Sequence, residues 1–303
     1  MPQIFNILLT TIAPVILIAG LGAILDKTKA IDAQSISRVL IYLASPALAF
    51  YSISNSSINP DELGGLFIFA LILMATITGL AWLVSQSAGM DRLTASAFVL
   101  SAAVFNGINY GVPVNEFAFG KPGLERAIIL GVLSGIYANT VGIFIASSGK
   151  VSVGKALQNV LTVPMPYAAV LGLLINLTQT PVPLLVNRIT QVLGTAAIPL
   201  MLLILGIQLA RTQLRGQWRV VIGASMMRLL GGAAIGFLLT WGMALDGVTR
   251  QTAIVEAAMP TAVVAGVLAT EFESDAHLVS SIIVFSTLLS LVTLPVVIYL
   301  LQT

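Results

Sequence analysis

The charged residues of this chain are spaced so that long stretches carry none. Residues 1–25 have no charge, and charge-free runs recur at 39–60, 63–90, 93–115, 127–149, 156–187, 189–210 and 276–303. The run 220–245 holds only Arg228, and 251–270 holds only Glu256. A helix of about 20 apolar residues crosses a hydrocarbon layer of roughly 30 Å. Only helices and closed barrels satisfy their backbone groups in lipid, and the runs lack the alternation of barrel strands. The chain therefore reads as an all-α integral membrane protein with ten transmembrane helices. Thr178 to Pro181 supplies the turn that separates the sixth span from the seventh.

Composition agrees and removes other classes. Of 303 residues, 57% are hydrophobic and 9% charged, whereas soluble domains carry about a quarter charged residues. A net charge of +2 offers no footprint for nucleic acid. With no Cys and a single His, His277, thiolate chemistry and multi-His metal sites are excluded. No cofactor is expected, and the pattern is not that of an enzyme. An intramembrane protease would need Ser with His or Lys, or several metal ligands. A sensor would need a soluble domain.

Lys and Arg in the loops set orientation. Odd-numbered loops carry nine (Lys27, Lys29, Arg38, Arg92, Lys150, Lys155, Arg211, Arg215, Arg219) and even-numbered loops four (Lys121, Arg126, Arg188, Arg250). Odd loops are thus expected in the cytoplasm, with both termini outside the cell membrane.

An internal repeat is visible. Pro14 and Gly20 in the first span match Pro166 and Gly172 in the sixth, and Pro46 in the second matches Pro199 in the seventh. Asn139 with Thr140 corresponds to Val292 with Thr293, and Arg-x-Thr-Ala opens spans four and nine at Arg92 and Arg250. Two five-helix halves, 1–149 and 150–303, follow. Five being odd, the second half is inverted, as in many secondary transporters.

Spans four and nine are expected to be broken. Asn106, Gly107, Asn109, Gly111 and Pro113 crowd one segment, and Glu256 lies four residues before Pro260 and Thr261 in the other. Broken helices free backbone groups that protein, water or substrate must satisfy, and half-helix N-termini favour anions. These residues are the candidate substrate site, while Pro46 and Pro199 read as kinks in the scaffold. Arg228, about 13.5 Å past Arg219 along a helix, and Glu256 are charges at membrane depth. They stand either as counter-ion and ion-coupling group, or as a structural pair.

The segment IVEAAMPTAVVAGVLATEF at 254–272 strongly resembles the penultimate helix of the auxin efflux carrier family. Asn106 with Gly111, Val112 and Pro113 resembles that family's fourth-helix crossover. Pro14, Arg38, Pro46 and Arg228 match further positions, and the long loop of the large plant members is absent. The resemblance implies crossing broken helices four and nine, a scaffold of spans one, two, six and seven, and a transport module of the rest. It implies a secondary carrier of small organic anions, auxin-like carboxylates or dicarboxylates such as malate, in the lipid bilayer, with a homodimer allowed. Phe105 stands where plant carriers have a crossover Pro, and Glu256 where they have Gln. A sodium-coupled symporter of the related bile-acid type is the alternative.

Overall fold

The computed structural model describes residues 2–29, 31–148, 162–212, 214 and 217–302. Lys150, Lys155 and Arg215, three of the loop cations, lie outside the described residues, as does the expected boundary between the halves. Among the described residues the chain is all helix apart from turns and one two-residue bridge.

Eleven helices follow one another among the described residues: α1 (2–29), α2 (Ala33–Ser54), α3 (Pro60–Ser87), α4 (Arg92–Ala103), α5 (Gly107–Ala146), α6 (Pro164–Leu177), α7 (Leu184–Arg211), α8 (Trp218–Gly242), α9 (Gly247–Ala257), α10 (Val263–Glu271) and α11 (Ala276–Gln302). Seven are long and apolar enough to cross a membrane: α1, α2, α3, α5, α7, α8 and α11. α4 and α6 are shorter apolar helices.

Starts are set by capping residues. Asn59 accepts the Glu62 N–H at 2.8 Å ahead of Pro60, and Asp91 accepts the N–H groups of Leu93 and Thr94. α5 folds back on itself at Gly120, whose φ of 65° and ψ of −157° suit only glycine. Its second arm then runs antiparallel to the first, and Gly131 lies against Ile108 and Gly107. Arg126, expected as a loop charge, is buried together with Glu125 at the start of this second arm. Arg126 bonds Glu62 of α3 and Thr249 of α9, so its charge fastens three helices at one end.

Prolines shape the long helices. Pro14, Pro46 and Pro113 each follow a five-residue π-helical turn, at Leu8–Ile12, Leu40–Ala44 and Gly107–Gly111. A proline lacks the N–H, and its ring presses on the carbonyl four residues back, so the preceding turn widens. Pro199 follows an irregular turn at Ala196 in α7. At Pro46 and Pro199 alike the irregularity lies in the turn just before the proline.

Glycine brings α1, α2, α6 and α7 together. A Cβ on Gly206 would overlap the Ala19 carbonyl, one on Gly22 the Leu203 carbonyl, and one on Gly194 would lie 2.8 Å from Leu48 Cα. Such close backbone approach is how helices associate where no hydrophobic effect drives them. A buried apolar seam, including Leu48, Ile198 and Met201 on one side and Val112, Ala127 and Ile128 on the other, joins this group to α5.

Candidate functional site

α4 ends at Ala103, and Val104 is extended (φ −98°, ψ 105°). α9 ends at Ala257, and the chain is non-helical until Ala262 (φ −75°, ψ 144°). The reason is local: Pro260 offers no donor, and Asn106 and Gly107 are poor helix formers. The two breaks meet. Phe105 and Thr261 form an antiparallel bridge, the Asn106 N–H donates to the Pro260 carbonyl at 2.8 Å, and the Ala262 N–H to the Val104 carbonyl at 2.9 Å. Thr261 is locked from both sides: its hydroxyl donates to the Ser101 carbonyl at 2.8 Å, and its N–H donates to Ser286 Oγ at 3.2 Å. Backbone groups that would be orphaned in lipid thus satisfy one another.

Arg228 and Glu256 make no ion pair. Arg228 is fully buried, and its guanidinium donates to the carbonyls of Ala102 (2.8 Å) and Ala257, with its carbon 5.3 Å from the Phe105 ring centre. These carbonyls belong to the C-terminal ends of α4 and α9, so one cation meets two negative helix ends. Gly232 makes room for it, since a Cβ there would strike both the guanidinium and the Ala257 carbonyl. Glu256, also buried, accepts from Asn115 Nδ2 at 2.9 Å and rests on Gly107 and Gly111. A Cβ at Gly107 would come within 2.7 Å of its Oε2. Glu256 Oε2 and Asn115 Oδ1 are buried without a hydrogen-bond partner.

The helix ends opposite to those held by Arg228 open on a cavity of about 220 Å³. Asn106, Gly107 and Asn109 line it from the start of α5, and Ala262, Val263 and Val264 from the start of α10. Ser134 and Asn139 of α5's second arm, Ser37 and Ser45 of α2 and Gln208 of α7 add polar groups to a wall otherwise rich in Ile and Val. Asn106 Nδ2 and Gln208 Oε1 are buried and unpartnered, which leaves them available to a ligand.

Of the residues singled out by sequence, Asn106, Gly107 and Asn109 line the cavity. Gly111, Pro113, Pro260 and Thr261 do not: Gly111 packs on Glu256, Pro113 sits at the start of α5's straight segment, and Pro260 with Thr261 holds the crossing from behind. Arg228, Glu256, Pro46 and Pro199 are also off the wall. Gln208, Ser134, Ser37 and Ser45 carry no signal in the sequence, and Asn139 stands out there only through the repeat. A lone polar residue in an apolar run leaves no pattern to detect.

Residues 150–298 match a protein family described as membrane transport protein. An uncharacterized transporter of Methanothermobacter thermautotrophicus is 30% identical over 291 residues, covering 94% of this chain and 95% of the relative. The chain belongs to this transporter family. An uncharacterized transporter of Methanocaldococcus jannaschii is 25% identical over 289 residues, covering 92% and 93% of the two chains. The family is that of the auxin efflux carriers, in keeping with the resemblance at 254–272. This member of the membrane transport protein family is a multi-pass transporter and not an enzyme.

Proposed function

We propose that this transporter is a secondary carrier of a small organic anion, working by alternating access around the crossing of the two broken helices. One observation carries the reading: two positive helix ends and the unpartnered Asn106 amide converge on one cavity, while the negative ends are held by Arg228. α4 with the first arm of α5, and α9 with α10, each count as one interrupted crossing. The second arm of α5 is a crossing of its own, which brings the total to ten.

Matching irregularities favour two inverted five-helix repeats divided near residues 149 and 150. The turn before Pro46 in α2 pairs with that before Pro199 in α7, and the break at Asn106 pairs with the break at Thr261. The cavity reaches Ser37, Asn139, Val163 and Gln208, which lie next to the odd-numbered loops. With Lys and Arg concentrated on that side, this form is open to the cytoplasm and the termini lie outside.

Glu256 is the coupling group in this reading. It lies against the same turn of α5 whose other side faces the cavity, so occupancy on one side is felt on the other. A sodium-coupled cycle is the second reading, motivated by the two partnerless oxygens of Glu256 and Asn115. The test is uptake of a labelled organic-acid panel into proteoliposomes with pH and sodium varied separately. Accumulation driven by one of the two gradients supports the carrier and names its ion. Transport of no acid in the panel overturns the anion reading.

A further inference from the structure

We infer that Lys121 and Glu125 are positioning residues of the transport cycle. They latch α5 to the group formed by α1, α2, α6 and α7 at the end of their shared seam that lies away from the cavity. The inference rests on the alternating-access reading and names contacts that must break before the opposite face can open.

The two ends of the seam are built differently. α2 lines the cavity near its start with Ser37, Leu40, Ile41 and Ser45. It ends at Ser54, and Asn55 follows about 27 Å from Ser37 along the helix axis. The second arm of α5 has the same division. Lys121 and Glu125 lie at its start, and Ser134, Gly135 and Asn139 reach the cavity further on. Between the two ends the seam is apolar, with Ala127, Ile128 and Val132 in one buried cluster with Leu48 and Ile53. Apolar contact is non-directional, so such a seam slides without any bond being broken. The polar contacts at its end decide when it parts.

At that end Lys121 Nζ donates to the Asn55 carbonyl at 3.4 Å and stands 3.7 Å from Glu125 Oε1. The Glu125 side chain is buried and takes a hydrogen bond from the Ser57 backbone. The turn that these two grip is itself fixed to the other group. Asn176 of α6 donates to the Ser56 carbonyl at 2.7 Å, and the Asn55 amide donates to Asn187 Oδ1 of α7 at 3.0 Å. Arg126, the next residue, turns the opposite way, to Glu62 of α3 and Thr249 of α9. Neighbouring acid and base thus fasten one helix to two different bodies. The bond to Asn55 is long for N–H···O, and the Lys121 side chain is 59% exposed. Such contacts are weak, as a latch that opens in every cycle must be.

The experiment needs no substrate. It uses the intact protein in lipid nanodiscs and follows how fast single cysteines react with a hydrophilic thiol reagent. Ala127→Cys reports on the buried seam beside the latch, and Ser37→Cys on the cavity. Adding Lys121→Ala or Glu125→Ala is expected to speed the reaction of Ala127→Cys about fivefold, the factor for about 1 kcal/mol, without speeding that of Ser37→Cys. Glu125→Gln keeps an acceptor for Ser57 and should return most of the original rate. An unchanged rate for Ala127→Cys overturns the latch. So does a faster reaction at both reporters, which marks general loosening of the fold. Neither result touches the carrier reading, which the proteoliposome uptake decides separately.

Discussion

Asn106 has two jobs that belong to different atoms. Its backbone N–H ties the two breaks together, and its side-chain Nδ2 is free at the cavity. Asn106→Ala removes only the second. Substrate affinity is expected to fall by about 1.5–3 kcal/mol, the scale of a hydrogen bond to a charged group, or one to two decades in Kd, with the fold retained. Equilibrium binding to the purified variant checks this, and near-native affinity would place the site elsewhere. Glu256→Gln keeps the shape and the contact with Asn115 while removing the titrating group. If Glu256 couples transport, the variant should exchange substrate with a flattened pH profile. An unchanged profile would reduce Glu256 to a packing partner of Gly107 and Gly111. At this scale the sequence was informative where unusual residues crowd, as at Asn106, Gly107 and Asn109. It was silent on Gln208. It also left the partner of Arg228 open, because two carbonyls of other helices leave no mark in the residue types that supply them.

The elements show how far such crowding can be read. Both interruptions were visible, since Gly, Asn and Pro at 106–113 and Pro260 are poor helix material. That the interruptions pair with each other was not visible, because a backbone-to-backbone bridge depends on no side chain. The π-helical turns ahead of Pro14, Pro46 and Pro113 follow from proline chemistry, yet those at Ala138–Gly142 and Met227–Gly231 have no proline after them. Glycine at the crossing of α1 and α7 makes a separate claim. Gly206→Ala ordinarily stabilises a helix by about 1 kcal/mol, but here the added methyl meets the Ala19 carbonyl, which belongs to backbone. Overpacking costs of about 1–3 kcal/mol should dominate, so the purified variant should melt at a lower temperature. A higher melting temperature would show that α1 and α7 are not packed this closely.

For the whole molecule, orientation is the open quantity, and loop charge is what argues for it. The chain has no native cysteine, so single cysteines report without background. Ser57 and Gln217 are both exposed, between α2 and α3 and just before α8. In intact cells a cysteine at Ser57 should react with an impermeant thiol reagent, and one at Gln217 should react only after permeabilisation. The reverse pattern would invert the carrier and turn its cavity to the outside. The membrane class could be read from charge-free runs, because a bilayer imposes one minimum length on every span. The cavity's position and its open side could not, because they depend on how α2 and α7 lean on α5.

The pairing of the two interruptions also bears on where such a chain could have come from. Each break supplies the hydrogen bonds that the other lacks: Asn106 to Pro260, and Ala262 to Val104. Either of the two halves proposed above, inserted alone, would hold donors and acceptors without partners in a water-poor interior, at a cost of several kcal/mol. A solitary half is then not a smaller carrier but an incomplete one. Under the proposed inverted repeat, an ancestor of half this length would have needed a second copy threaded the opposite way through the membrane before any gene fusion joined them. The same logic makes the covalent link between the halves dispensable. Residues 1–149 and 150–303, made as separate chains in one cell, should purify together, and neither should accumulate without its counterpart.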